Sequence, residues 1–92
     1  ESIIQTVCDH FGITPLDIAS QKRNKEVVFP RQIVMYLCQN LTGASLQEIG
    51  KYLGGRDHTT IIHGRQKIAK DLTKNENLAN TIEIIKKKLS PQ

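Results

Sequence analysis

Apolar residues recur at helical spacing along almost the whole chain, and no segment shows the sustained two-residue alternation of a β-strand. The clearest stripe lies near the C-terminus, where four aliphatic residues follow one another at steps of four, three and four: Leu78, Ile82, Ile85 and Leu89. These steps bring the side chains onto one face of a helix. The pattern predicts an all-α fold, a bundle of about six helices.

Polar and helix-breaking residues indicate where the first three helices begin. The first is predicted from Ser2, and Thr14 can cap a short second helix that has Pro15 at its first position. Residues 20–26 are polar and basic without periodicity, which predicts a loop. Pro30 is then expected to open a third, longer helix that ends near residue 42.

Side-chain caps also predict the last three helices. Ser45 with Glu48 forms a capping-box pattern, and Asp57 is the best N-cap for the following helix. Thr73 with Glu76 can cap the last one. Residues 45–72 thus read as a short helix, a Gly-Gly turn and a longer helix, which is the outline of a helix-turn-helix. Many helical hairpins share this outline.

The chain length of 92 residues predicts one domain, 1–92, and excludes two full domains or a large enclosed active site. Because the chain starts at Glu1 without Met, we expect a piece of a longer protein. Aromatic residues make up 4% and Trp is absent, which argues against stacking of bases or sugars on exposed rings. No apolar run approaches a membrane span. The expected core residues are Ile3, Ile4, Val7, Cys8, Phe11, Leu16, Ile18, Ile33, Val34, Leu37, Cys38, Leu41, Leu46, Ile49, Leu53, Ile61, Ile68, Leu72 and the C-terminal stripe.

Positive charge is concentrated in the middle of the chain. The net charge is +4, yet residues 1–19 carry three acids and no base, whereas residues 20–74 carry ten bases and four acids. Such a distribution is typical of a surface that meets a polyanion, and equally of an ordinary basic surface.

The first turn of the fifth predicted helix is unusually polar. Asp57, His58, Thr59 and Thr60 stand where a core helix would place apolar residues. These short side chains can donate or accept hydrogen bonds at base edges, and a Thr methyl can contact a thymine methyl. The turn therefore suits base readout in a major groove. For Asp57 alone, the helix cap is the favoured interpretation. A cap does not require the three residues that follow.

Metal binding and catalysis are not expected. His58 and His63 lie about 140° apart around a helix, which is not the arrangement of a helical zinc site. Cys8 and Cys38 fall in apolar helical patterns, which favours buried thiols over a disulfide. No nucleophile has a recognisable base partner, and the Gly-Gly turn lacks the pattern of a phosphate-binding loop.

Residues 55–63, Gly-Arg-Asp-His-Thr-Thr-Ile-Ile-His, resemble the signature of the C-terminal DNA-binding domain of the DnaA family of bacterial replication initiators. Ile49-Gly50, Lys67-Ile68, the basic pair at 22–23 and Pro-Arg-Gln at 30–32 fit the same domain. The resemblance covers essentially the whole chain.

The resemblance implies a domain that binds double-stranded DNA at short, asymmetric, A·T-rich boxes of a replication origin, in the bacterial cytoplasm. Asp57, His58, Thr59 and Thr60 would contact bases in the major groove, and Arg23 would enter the minor groove. Without the resemblance, Arg23 is better interpreted as a solvated loop cation. The residues expected at phosphates are Lys25, Arg31, Gln32, Ser45, Leu46, Gln47 and His63.

The resemblance also implies that ATP and Mg²⁺ belong to an AAA+ module outside these 92 residues, so no cofactor is expected here. A monomer without membrane contact is expected. Two positions depart from the family pattern: Gly64, where Ala is usual, and Gln39, where some members carry Lys. Two alternatives remain, a helix-turn-helix transcription regulator that dimerises on palindromes and a helical bundle whose basic face docks an acidic protein.

Overall fold

The structure is a computed structural model that describes residues 2–90, and within this range the chain forms six α-helices and no strand. The all-α prediction is therefore confirmed. No helix in the described range is long and apolar enough to cross a bilayer. The helices are α1 (Ser2–Phe11), α2 (Pro15–Ala19), α3 (Lys25–Leu41), α4 (Leu46–Tyr52), α5 (His58–Leu72) and α6 (Glu76–Leu89).

Two predicted caps form reciprocal capping boxes. Thr14 Oγ1 accepts from the Asp17 backbone N–H at 3.2 Å, and the Asp17 carboxylate accepts from the Thr14 N–H. Ser45 and Glu48 make the same exchange at the start of α4, at 3.1 and 2.9 Å. Each box satisfies two backbone donors that a helix end leaves without intrahelical partners. The starts of α2 and α4 were thus correctly predicted.

The predicted start of the third helix was wrong. Helix α3 begins at Lys25, so Pro30 lies inside it and the predicted loop is shorter. Proline deprives the helix of one backbone hydrogen bond. The turn before it persists because Val27 is buried in the core, 4% exposed. Burial of one aliphatic side chain offsets the lost bond.

The predicted cap of the last helix was also wrong. Asn75 caps α6, since its side-chain oxygen accepts from the Leu78 N–H at 3.0 Å. Thr73 instead ends α5, where its hydroxyl donates to the Lys70 carbonyl at 2.7 Å. Thr73 has the backbone torsions of a helix, φ −72° and ψ −14°, whereas an N-cap residue is extended, so Thr73 closes α5 and does not open α6.

The core forms around α3, whose most extensive contact is with α5. Cys8 and Cys38 are both buried thiols, as expected. Leu16 and Leu41 were expected in the core, but they are 83% and 44% exposed. Helix α2 has a single turn, which buries Ile18 and leaves Leu16 on the outer side.

Helices α4 and α5 and the turn between them form the predicted helix-turn-helix. Gly54 and Gly55 adopt φ values of 80° and 82°, which favour glycine. A methyl group on Gly54 would overlap the Ala19 carbonyl oxygen. The turn therefore lies directly against the end of α2, where the basic loop begins.

Candidate nucleic-acid interface

The N-terminus of α5 presents a polar turn on a rigid base. Asp57 is its N-cap, and the Oδ1 atom accepts from the Thr60 N–H at 2.9 Å. Hydrogen bonds from Thr60 hold the pKa of the Asp57 carboxyl below its ordinary value. Ile61, fully buried, fixes the turn to the core. The outer side of this turn is consequently held in place before any ligand arrives.

The four residues predicted to read bases are all exposed and adjacent at this end of α5: Asp57, His58, Thr59 and Thr60. His63 is exposed as well and lies one turn after Thr59, on the same side of the helix. The opposite face, Ile61, Gly64 and Ile68, is buried. The structure thus brings the predicted major-groove residues onto one accessible surface.

The N-terminus of α4 carries three residues predicted at a phosphate. The Ser45 N–H already donates to Glu48, as described above. Helix geometry leaves the N–H groups of Leu46 and Gln47 without intrahelical acceptors. Ser45 and Gln47 are exposed and Leu46 is half-buried. This end therefore offers the backbone N–H groups of Leu46 and Gln47 and the hydroxyl hydrogen of Ser45, whose oxygen accepts from the Glu48 N–H.

The basic loop between α2 and α3 exposes both of its predicted DNA-contacting cations. Arg23 lies in the loop, and Lys25 is the first residue of α3. Lys22 is held by Asp17 at 2.8 Å in an exposed ion pair, whose hydrogen bond is the main cause of the lowered pKa of Asp17. Arg23 follows directly in a loop whose backbone is held by Arg31 at the carbonyls of Ser20 and Lys22.

Arg31 does not lie where a phosphate contact would need it. Its side chain is only 4% exposed. The guanidinium donates to four backbone carbonyls, those of Asp17, Ile18, Ser20 and Lys22, at 2.7–3.1 Å. The predicted phosphate contact is therefore corrected: Arg31 binds the basic loop to α3 from inside. Its position in the sequence, next to Pro30 in a basic segment, gave no sign of this burial.

Gln32 is half-buried and lies beside the recognition helix. Its Cγ atom is 3.4 Å from the place of a methyl group on Gly64. Gln32 thus stands in the seam between α3 and α5, with part of its side chain at the surface. This position is compatible with the predicted phosphate contact.

Arg56 makes structural contacts that the sequence did not predict. Its guanidinium donates to the Leu53 carbonyl at the end of α4 and, at 2.6 Å, to the Ser20 carbonyl in the basic loop. Burial lowers the pKa of both Arg56 and Arg31, and the Arg56 charge adds to the effect on Arg31. Sequence spacing alone cannot show such a contact, because Ser20 and Arg56 are 36 positions apart.

Comparison with known proteins identifies relatives of this arrangement. The family described as bacterial dnaA protein helix-turn-helix matches residues 1–68. The chromosomal replication initiator protein DnaA of Lachnoclostridium phytofermentans is 45% identical over 89 residues, which are 97% of this chain and 20% of that protein. The protein of the same name from Herpetosiphon aurantiacus is 47% identical over 89 residues, 97% of this chain and 19% of that protein.

A solved structure is also similar. The crystal structure of a DNA replication initiation factor superposes with a TM-score of 0.83 and 31% identity, over 94% of this chain and 26% of that chain. The chain spans about a fifth of the length of the curated relatives it matches. The matched piece is the helix-turn-helix part of those proteins.

Proposed function

The chain belongs to the bacterial DnaA helix-turn-helix family, and we propose that it binds double-stranded DNA sequence-specifically, at short A·T-rich initiator boxes of a bacterial replication origin. The observation that carries this proposal is the exposed first turn of α5, Asp57–Thr60, on a helix whose other face is buried. Helix-turn-helix proteins read base edges with the first residues of this helix.

In this proposal one set of residues contacts bases and another set contacts phosphates. Asp57, His58, Thr59 and Thr60 contact base edges in the major groove. Arg23 enters the adjacent minor groove, where an A·T-rich sequence narrows the groove and strengthens its negative potential. The proposed phosphate contacts are those of Lys25, Gln32, His63, the Ser45 hydroxyl and the backbone N–H groups of Leu46 and Gln47.

The proposed binder is a monomer module without a cofactor of its own. ATP and Mg²⁺ would act in an AAA+ part of a longer protein, in the bacterial cytoplasm. The Gly54–Gly55 turn does not fit a nucleotide phosphate, since Gly54 lies against the Ala19 carbonyl and Arg56 donates to backbone carbonyls. The role of this chain is binding rather than catalysis.

The proposal is tested by fluorescence anisotropy on an initiator box and on a scrambled duplex of equal composition. We expect wild type to favour the box, and His58→Ala to lose about 1–3 kcal/mol of that preference, the value of a base contact. His10→Ala on α1 is the matched control and is expected to keep the preference. Equal binding of wild type to both duplexes would contradict the proposal.

The alternative candidate is a helix-turn-helix transcription regulator with the same readout. Many such regulators dimerise on palindromes, so a one-to-one complex on an asymmetric box argues against that version. Sedimentation velocity of the complex gives the ratio. Tight binding of an acidic protein without any preference between duplexes would instead support an interaction module.

A further inference from the structure

The basic loop and the recognition helix meet at one point, and Arg56 is the side chain that joins them. Arg56 directly precedes Asp57, the cap of α5. Its guanidinium contacts the Leu53 carbonyl, at the end of α4, and the Ser20 carbonyl, three residues before Arg23. One residue therefore links the turn that leads into α5 to the loop that carries Arg23.

Two further contacts hold the basic loop at this junction. The Ser20 carbonyl also accepts from Arg31 at 3.1 Å, and Arg31 holds the Lys22 carbonyl next to Arg23 at 3.0 Å. The absence of a side chain on Gly54 lets the Ala19 carbonyl approach the turn. The loop is thus anchored by the guanidinium groups of Arg31 and Arg56 and by the close backbone contact between Ala19 and Gly54.

We propose that Arg56 is a positioning residue for DNA recognition: by tying the Ser20 carbonyl to the helix-turn-helix, it sets where Arg23 meets the minor groove relative to α5. This inference rests on the proposed function. A planar fork with donors at fixed spacing can hold two carbonyls at once, which a lysine ammonium on a flexible stem does less well. A loop ordered in advance also avoids the entropy cost of ordering on binding.

The test is a double-mutant cycle between positions 56 and 23. Arg56→Lys keeps the charge and removes the fork, so a loss of affinity does not reflect a weaker field. We expect Arg56→Lys to weaken box binding about tenfold when Arg23 is present and less than about twofold in the Arg23→Ala background. Arg65→Lys makes the same exchange within α5, away from the junction, and its effect is expected to be equal in both backgrounds.

A second readout reports the minor groove alone. Replacing adenine by 2,6-diaminopurine adds an amino group to the minor groove and leaves the adenine pattern of the major groove unchanged. Wild type should lose affinity for the substituted box, whereas Arg23→Ala and Arg56→Lys should both lose much less. A purely structural role of Arg56 would lower the affinity for both boxes alike.

Thermal unfolding first establishes that each variant is folded. If Arg56→Lys is unfolded, the same cycle is run with Arg56→Gln, whose amide can still donate to the nearby Leu53 carbonyl. Losses that are equal with and without Arg23, or an unchanged diaminopurine penalty, would overturn the positioning role while the proposed function stands. Failure of wild type to distinguish box from scrambled duplex would overturn both.

Discussion

Asp57 combines a structural and a proposed recognition role in one exposed carboxylate. Its Oδ1 atom caps α5, and the hydrogen bonds from Thr60 lower its pKa. A carboxylate near a helix N-terminus is further stabilised by the macrodipole. The carboxylate that caps the helix is also able to accept a hydrogen bond from a cytosine amino group in the major groove. The two roles can be separated by Asp57→Asn. An Asn side chain still caps a helix, but its amide donates as well as accepts and so changes the contact with a base.

We expect Asp57→Ala to lower the free energy of unfolding by about 1 kcal/mol, the value of a lost N-cap, whereas Asp57→Asn should nearly retain it. Because the folded-state pKa is lowered, the carboxylate contribution is complete above the unfolded pKa, about 4, and is lost as the pH falls through the folded value. Urea unfolding at pH 7 and near pH 3 measures both effects.

The recognition role is measured on the same Asp57 variants. Asp57→Asn should bind the box with altered preference at the contacted base pair, since an amide donates as well as accepts. Unchanged base preference in Asp57→Asn would leave Asp57 as a cap only and assign readout to the three residues that follow. This result would not alter the expected effect of His58→Ala.

At the scale of elements, Gly64 lies where α5 packs tightly against α3. A methyl group at this position would overlap the Met35 sulfur, and Met35 is 2% exposed. The glycine thus lets the two helices pack, although it lowers helix propensity by up to about 1 kcal/mol relative to Ala. The departure of Gly64 from the family pattern has a local explanation in its partner Met35.

We expect Gly64→Ala to lower the free energy of unfolding by about 1–3 kcal/mol through overpacking, despite the better propensity of Ala. In the Met35→Ala background the sign should reverse, because the methyl group then enters vacated space. Urea denaturation of the four proteins of the cycle measures this coupling. A stabilising Gly64→Ala in the wild-type background would show that Met35 moves aside without cost.

Helix predictions from the sequence succeeded where a local signal decides the structure. The starts of α2, α4 and α5 depend on caps within three residues, and Thr14, Ser45 and Asp57 were identified from residue type and local spacing. The start of α3 depends on burial of Val27 before Pro30, and that is a tertiary effect. Periodicity also placed Leu16 in the core. That prediction was wrong because a helix of a single turn buries one side only, and periodicity does not show which side.

The candidate site follows the same division. The exposed turn at 57–60 was predicted, because polar residues at the start of an otherwise apolar-faced helix are visible in the sequence. Arg31 was placed at a phosphate through the family resemblance, and no internal contact was predicted for Arg56. Both donate to backbone carbonyls distant in the chain, that of Ile18 for Arg31 and that of Ser20 for Arg56. A backbone acceptor leaves no trace in residue identity. Only the packing of α2 against α3 and the turn places those carbonyls beside the guanidinium groups.

At the scale of the molecule, these contacts change the interpretation of the positive charge. Residues 20–74 carry a net charge of +6, but two of their arginines are engaged inside the protein. Lys22 is engaged by Asp17 at the surface. The cations available to phosphates are therefore fewer than the composition indicates. The salt dependence of DNA binding measures how many cations contact phosphates. Each neutralised phosphate contributes about 0.9 to the slope of the logarithm of affinity against the logarithm of salt concentration.

Lys25 and Arg31 carry the same charge and lie on the same helix. Replacing each with Ala is nevertheless expected to have opposite effects on the salt slope of DNA binding and on stability. Lys25→Ala should reduce the magnitude of the salt slope by about one while stability is nearly unchanged, because the side chain is exposed and proposed at a phosphate. Arg31→Ala should leave the slope nearly unchanged and lower the free energy of unfolding by at least about 2 kcal/mol, because four carbonyls lose their donor.

The measurement for this pair is the box affinity between roughly 50 and 200 mM KCl, over which a protein with several phosphate contacts loses about 10³–10⁵ in affinity, together with urea unfolding of each variant. A folded Arg31→Ala protein whose slope falls by about one would restore Arg31 as a phosphate contact. The guanidinium would then have to exchange its internal carbonyls for DNA during binding, and the basic loop would move as it does so. A slope unaffected by Lys25→Ala would instead remove Lys25 from the interface and leave Arg23 as the cation that the loop offers to DNA.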